Sequence, residues 1–109
     1  MLFILAGTIG KKEMNMQNNK PDVIHNIERN SFEVTLDSFT AELIYQQIGD
    51  IIVFTHTGVP AAMEGRGIGS MLVKTGLDYA RDNNLKVQAL CSFVDGYIQR
   101  HVEYRDLLK

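Results

Sequence analysis

An α+β fold is what this sequence predicts: an antiparallel meander, a long crossover helix on one face, and a parallel strand added at the end. Three observations point to it. Apolar residues alternate with polar ones through residues 31–57, in runs separated by turn signals. Residues 67–83 change to helical spacing, and residues 85–93 return to a strand-like pattern. A strand, a crossover helix and a second strand normally pair parallel, with a right-handed crossing.

The first strand is SFEVTLD (31–37), with Phe32, Val34 and Leu36 on one face and Ser31, Glu33, Thr35 and Asp37 on the other. Asp37-Ser38 is a turn, after which FTAELIYQQI (39–48) repeats the alternation through Phe39, Ala41, Leu43 and Tyr45. Gly49-Asp50 is a hairpin signal. It leads into IIVFTHT (51–57), apolar on both faces as far as Thr55 and so central to the sheet. The helix is expected from about Gly67 to Asn83. Its apolar stripe is Ile68, Met71/Leu72, Thr75/Gly76 and Tyr79/Ala80, and its wet side is Lys74, Asp78, Arg81 and Asp82. Asn83-Asn84 supplies a left-handed stop. LKVQALCSF (85–93) reads as a strand with Val87, Ala89 and Cys91 on one face, and a short helix over 94–101 and a turn around EYRDLL follow.

A chain of 109 residues has room for one modest core. It is 45% hydrophobic and 22% charged, which is ordinary for a globular protein. A net charge of -2 and a pI near 5.8 argue against general nucleic-acid binding, which shows as a basic face. A single cysteine, Cys91, rules out an internal disulfide and leaves no reason to invoke an oxidising compartment. With three histidines (His25, His56, His101) it makes no spaced zinc-ligand pattern, so no metal is expected.

MLFILAGTIG lacks the preceding basic residues and the small-residue cleavage site of a signal peptide. It is also far short of the ~20 apolar residues that span a bilayer. The polar KKEMNMQNNKPD follows and contains Met14 and Met16 as alternative starts. Residues 1–22 are therefore expected to be a loosely ordered extension and 23–109 the folded domain, in a cytoplasmic protein without a membrane partner.

PAAMEGRGIGSMLV (60–73) places Gly65, Gly67 and Gly69 at the mouth of the long helix. Glycine there costs conformational entropy, so the backbone either needs a shape that a side chain forbids or must come very close to something. One reading is an anion site. Unpaired N–H groups of the first helical turn converge there, and the helix dipole adds about half a positive charge. The three glycines would let phosphate oxygens in, and Arg66 could add a charged hydrogen bond. The other reading is tight packing of the helix on the sheet. GIGSM has no P-loop lysine, and Ser70 takes the place of the third glycine of a dinucleotide fingerprint.

The arrangement resembles the acyl-CoA N-acyltransferase (GNAT) superfamily, whose signature Gln/Arg-x-x-Gly-x-Gly/Ala falls here on Glu64-Gly65-Arg66-Gly67-Ile68-Gly69. Glu64 departs from the usual Gln or Arg. More narrowly, HTGVP, GRGIGSMLV, LDYARDNNLKV, CSFVDGYIQRH and EYRDLL, in that order, are similar to the small, minimal YjdJ-like N-acetyltransferases of that superfamily. The resemblance runs from about Phe32 to Leu108. Val102 stands where the family usually has proline.

What the resemblance implies is an acetyl-CoA-dependent N-acetyltransferase acting on an unidentified amine, as a monomer or weak homodimer. The alternative is a coenzyme A-binding module or sensor without efficient transfer, because the chain lacks the extra helices with which larger relatives build an acceptor pocket. Coenzyme A pyrophosphate would sit at Gly65, Arg66, Gly67, Ile68, Gly69 and Ser70, with Arg100 and Lys74 as further phosphate contacts. The pantetheine arm would enter a gap between splayed parallel strands, where Thr57 to Val59 offer an N–H to the thioester carbonyl. Cys91, on the other wall of the gap, either accepts the acyl group, borders the thioester or is a small buried hydrophobe. His56 is its obvious helper as general base, or else a core histidine. Tyr97 lies where larger relatives carry a tyrosine that protonates the departing thiolate, although YIQRHV lacks the Gly-Phe of that stretch. Packing on the sheet is the other reading for Tyr97.

Overall fold

A computed structural model describes residues 21–109. The apolar N-terminal run, the two alternative methionine starts and all of the expected extension except Pro21 and Asp22 lie outside the described residues. Among the described residues, five strands form one sheet in the order β1-β2-β3-β4-β5. Four are antiparallel neighbours: β1 (Ile24–Asn26), β2 (Ser31–Leu36), β3 (Phe39–Ile48) and β4 (Ile51–Gly58). Helix α1 (Ile68–Asp82) crosses over to β5 (Lys86–Ala89), which pairs parallel to β4, and α2 (Ser92–Arg100) follows. A 3-10 segment, Val102–Leu107, closes the chain, and Leu108 bridges Val87 at the sheet edge.

The meander is therefore one strand longer than the alternation predicts. Ile24-His25-Asn26 is too short to carry a period, and a 3-10 turn (Ile27–Arg29) follows it, capped by the Asn26 side chain and ended by left-handed Asn30. The hairpins fall where the turn residues put them. Leu36 faces Phe39 around Asp37-Ser38, with Asp37 left-handed at φ 57, and Ile48 faces Ile51 around Gly49-Asp50.

Both helices lie on one face of the sheet. Phe32, Val34, Ala41, Leu43, Ile52, Phe54 and Val87 point into that side and are almost wholly buried against Leu72, Val73, Leu77 and Ile98. Each fully buried side chain of this kind stabilises the fold by roughly 1.5–3 kcal/mol. Gly76 sets how closely α1 approaches, since a Cβ there would stand 3.0 Å from Leu43 Cδ2 and from Phe54 Cε1. At the far end of α1, Asn84 is left-handed and Leu85 N donates to Ala80 O at 2.8 Å, so the expected stop forms and turns the chain back into β5.

Strand β5 is shorter than the apolar run of 85–93 predicts. It ends at Ala89, because the N–H groups of Leu90 and Cys91 both turn onto one acceptor, Phe54 O, at 3.0 and 3.2 Å. Cys91 is thus the N-cap of α2 rather than a strand residue, and α2 begins two residues before the expected 94. No described helix is long and apolar enough to cross a membrane.

Candidate functional site

The site begins where β4 loses its parallel neighbour. Phe54↔Ala89 is the last β4–β5 pair, yet β4 runs on to Gly58 with only β3 beside it. The register against β3 slips at the same place: Tyr45 faces Phe54, but Ile44 faces His56, which leaves Thr55 as an extra residue. A bulge of this kind bends the strand and shifts its alternation by one. Without it His56 would share the helix face with Ile52 and Phe54. With it, Thr57 takes the helix face opposite Leu43, and His56 points to the helix-free face.

That parity shift separates two residues that the sequence brings together. Cys91 lies on the helix side, where its Sγ is 3.3 Å from Thr57 Oγ1. His56 lies on the other side, so Thr57 stands in the position expected of a histidine helper. Burial pushes the Cys91 thiol up, but the Thr57 hydroxyl and the nearby N–H groups of Val94, Phe93 and Thr57 outweigh it and hold the thiol below its ordinary value.

Beyond β4 the chain makes a 3-10 turn (Ala61–Met63) and then the glycine loop. Its three glycines answer to two different demands. Gly65 and Gly67 are left-handed, at φ 82 and 73, and a Cβ on either would meet nothing within 4 Å. Their backbone shape and the open space above them are the features that matter. Gly69 is different: a Cβ there would stand 2.9 Å from Phe93 Cζ, so its bareness seats the ring at the start of α2. Gly67 is the N-cap of α1 and offers no side chain to the first-turn N–H groups.

A cavity of about 500 Å³ joins these parts. Of the residues expected to hold a cofactor, it is lined by Thr57, Val59, Gly65, Gly67, Ile68, Gly69 and Ser70, together with Met63, Glu64 and Phe93. Met63 and Phe93 carry no signal in the sequence, since each reads as ordinary core. Arg66 instead lines a second cavity of about 630 Å³ that adjoins the first at Gly67 and Ser70, together with Lys74, Tyr97 and Pro21. Tyr97 packs there, with its ring 3.9 Å from that of His101 and burial pushing its phenol up. Arg100, at the end of α2, lines neither cavity.

A mixed sheet split beside β4, with a glycine-lined helix mouth over the split, is the architecture of an acyl-CoA N-acyltransferase. A family model described as GCN5-related N-acetyl-transferase matches residues 31–107, and the chain belongs to that family. It is similar to Protein NATD1 of Mus musculus and of Homo sapiens, 35% identical over 82 residues in each case. The match spans 72% of this chain and 74% of the mouse and 73% of the human protein. The solution structure of a GCN5-like protein from Staphylococcus aureus superposes with a TM-score of 0.67 at 30% identity, covering 84% of this chain and 90% of that one.

Proposed function

We propose that the protein is an N-acetyltransferase that moves an acetyl group from acetyl-CoA to an amine. One observation carries the reading: a single cavity runs from the uncapped N-terminus of α1, past two left-handed glycines, to the unpaired edge of β4. A helix mouth without a side-chain cap, bordered by positions open for lack of a Cβ, fits a pyrophosphate held by backbone N–H groups. Arg66 and Lys74, in the adjoining cavity, supply positive charge beside it.

Acetyl-CoA supplies an activated thioester, and the chain's own groups do the rest. Backbone N–H groups among residues 57–59, on the edge of β4 that β5 leaves unpaired, hold the thioester carbonyl and the charge that develops on its oxygen. His56 removes the proton from the attacking amine. We infer direct transfer, because His56 lies on the opposite face of the sheet from Cys91, whose side-chain partner among the described residues is the Thr57 hydroxyl. The hydrogen bonds that favour its thiolate support a second route, in which Cys91 carries the acetyl group before the amine takes it.

Acetyl-CoA turnover with a panel of amines, followed by free-thiol release, tests the proposal. Sustained release that depends on an amine is expected. Tight acetyl-CoA binding with no release on any amine would replace the transferase by the binding module. Intact mass spectrometry separates the routes: an acetyl-Cys91 adduct that forms and decays at the turnover rate would overturn direct transfer.

A further inference from the structure

We propose that Glu42 is the residue that recognises the acceptor: its carboxylate holds the charge of an ammonium that approaches across the helix-free face of the sheet, where His56 takes its proton. The proposal rests on the transferase reading and adds to it the face of entry and a recognition residue.

The argument starts from the bulge at Thr55. Beyond it His56 and Gly58 alternate onto the helix-free face, opposite Ile44 and Glu42 of β3. These groups converge: a Cβ on Gly58 would stand 3.1 Å from His56 Nε2 and 3.9 Å from Glu42 Cγ. Gly58 is therefore a slot with an imidazole on one side and a carboxylate-bearing side chain on the other. It lies on the same unpaired end of β4 whose Thr57 lines the 500 Å³ cavity from the opposite side. A thioester held in the split is thus reachable from the face that no described helix covers.

The two carboxylates on this face are not equivalent. Glu33 accepts hydrogen bonds from Ser31 Oγ at 2.6 Å and Asn26 Nδ2 at 3.4 Å, and it pairs with Arg29 at 3.7 Å. Among the described residues Glu42 has one charged contact, Arg29 Nη2, at 3.9 Å. Glu42 retains the capacity for a second cation, while Glu33 is already spoken for by its neighbours. Beside His56, Ile44 is only partly buried and gives an aliphatic stem an apolar footing.

The chemistry balances. The ammonium, paired with Glu42, gives one proton to the His56 imidazole. The freed nitrogen lone pair attacks the thioester carbonyl carbon, the carbon–sulfur bond breaks, and the second proton of the nitrogen passes to the departing coenzyme A thiolate. The amide product has no charge, so its attraction to Glu42 disappears on transfer and release is favoured.

The test is an amide-resolved NMR titration of the full chain saturated with coenzyme A. Spermidine and a lysine-containing peptide blocked at its N-terminus are the two charged probes, and aniline is the uncharged one. For at least one charged probe, shifts are expected at Glu42, Ile44, His56 and Gly58, and which probe shifts them more strongly identifies the source of the amine. Glu42→Gln should weaken that binding about fivefold, the upper end for a partly exposed ion pair. Aniline binding and coenzyme A affinity should not move, and Glu33→Gln, as a control, should leave the charged probes unaffected. Charged probes that shift other residues, or that bind Glu42→Gln as well as the native chain, would overturn the proposal and leave the transferase reading standing. Failure of coenzyme A itself to shift Gly67 and Ser70 would sink both.

Discussion

Strand β4 has two halves with opposite properties. Ile52, Val53 and Phe54 are buried and paired on both sides, in a meander that continues into β5. From Thr55 to Gly58 the same strand is paired on one side only, its side chains emerge from the core, and a cavity borders it. One extra residue marks the boundary. The inner half is built as fold and the outer half as site, and the difference arises from backbone register rather than from a change in composition. The outer half also shows how minimal the scaffold is: the end of β5 leaves one edge of the strand unpaired and the bulge turns a histidine to the helix-free face, so two features of one strand end serve one gap.

Substitutions along the strand should separate the halves. Phe54→Ala, in the inner half, removes a ring at 0% exposure and should cost about 3–5 kcal/mol in urea unfolding. That is a large part of the roughly 5–15 kcal/mol typical of a domain. Thr55→Ala in the bulge, by contrast, should change stability by roughly 0.5 kcal/mol or less, as an exposed position does. Equal costs at the two positions would break the comparison.

The glycine loop gives the next largest effect. Gly67→Val forces a β-branched residue into φ 73 and should cost about 1–2 kcal/mol. Calorimetry should show acetyl-CoA affinity falling by at least about tenfold, because the valine side chain would enter the space where a ligand's oxygens are to sit. Unchanged affinity would remove the loop from the site.

A smaller effect is expected at Cys91. Thr57→Val deletes a hydrogen bond that favours the thiolate, so the thiol should titrate higher and alkylate more slowly at neutral pH, while Thr57→Ser should restore the rate. The pH profile of alkylation measures this directly. A valine variant that titrates with the native chain would assign the lowering to the α2 backbone alone.

The effect with least bearing on the gap lies far from it, where Tyr104 donates to Asp78 Oδ1 at 2.7 Å and links the C-terminal 3-10 segment to α1. Burial and the Asp78 carboxylate push its phenol up to about 12 from 10.0. The fold therefore favours the protonated phenol. Its stabilising contribution is complete below pH 10.0 and is lost as pH rises through about 12. Tyr104→Phe should flatten that alkaline decline and leave the neutral-pH gap chemistry unchanged.

Much of this was legible in the residues. Phe32/Val34/Leu36 and Ala41/Leu43/Tyr45 alternate because one face is buried and one is not, and Gly65 and Gly67 announce a helix mouth because glycine takes left-handed backbone without strain. The bulge was not legible. IIVFTHT contains no glycine, proline or charge to mark an inserted residue, and a one-residue slip reverses every side chain after it. For that reason His56 reads as a neighbour of Cys91 and folds onto the opposite face. The end of β5 was hidden in the same way, since ALC stays apolar while its N–H groups converge on the Phe54 carbonyl. Pairing lost to a backbone acceptor leaves no trace in hydrophobicity.

The central claim is that backbone groups at the outer end of β4 and at the mouth of α1 hold acetyl-CoA together. Amide hydrogen exchange with and without acetyl-CoA tests it most directly. The account predicts new protection at Thr57 and Val59 and at the amides from Gly67 to Ser70, with the inner half of β4 unchanged. Protection at the helix mouth without any at Thr57 or Val59, or protection confined to other elements, would contradict it.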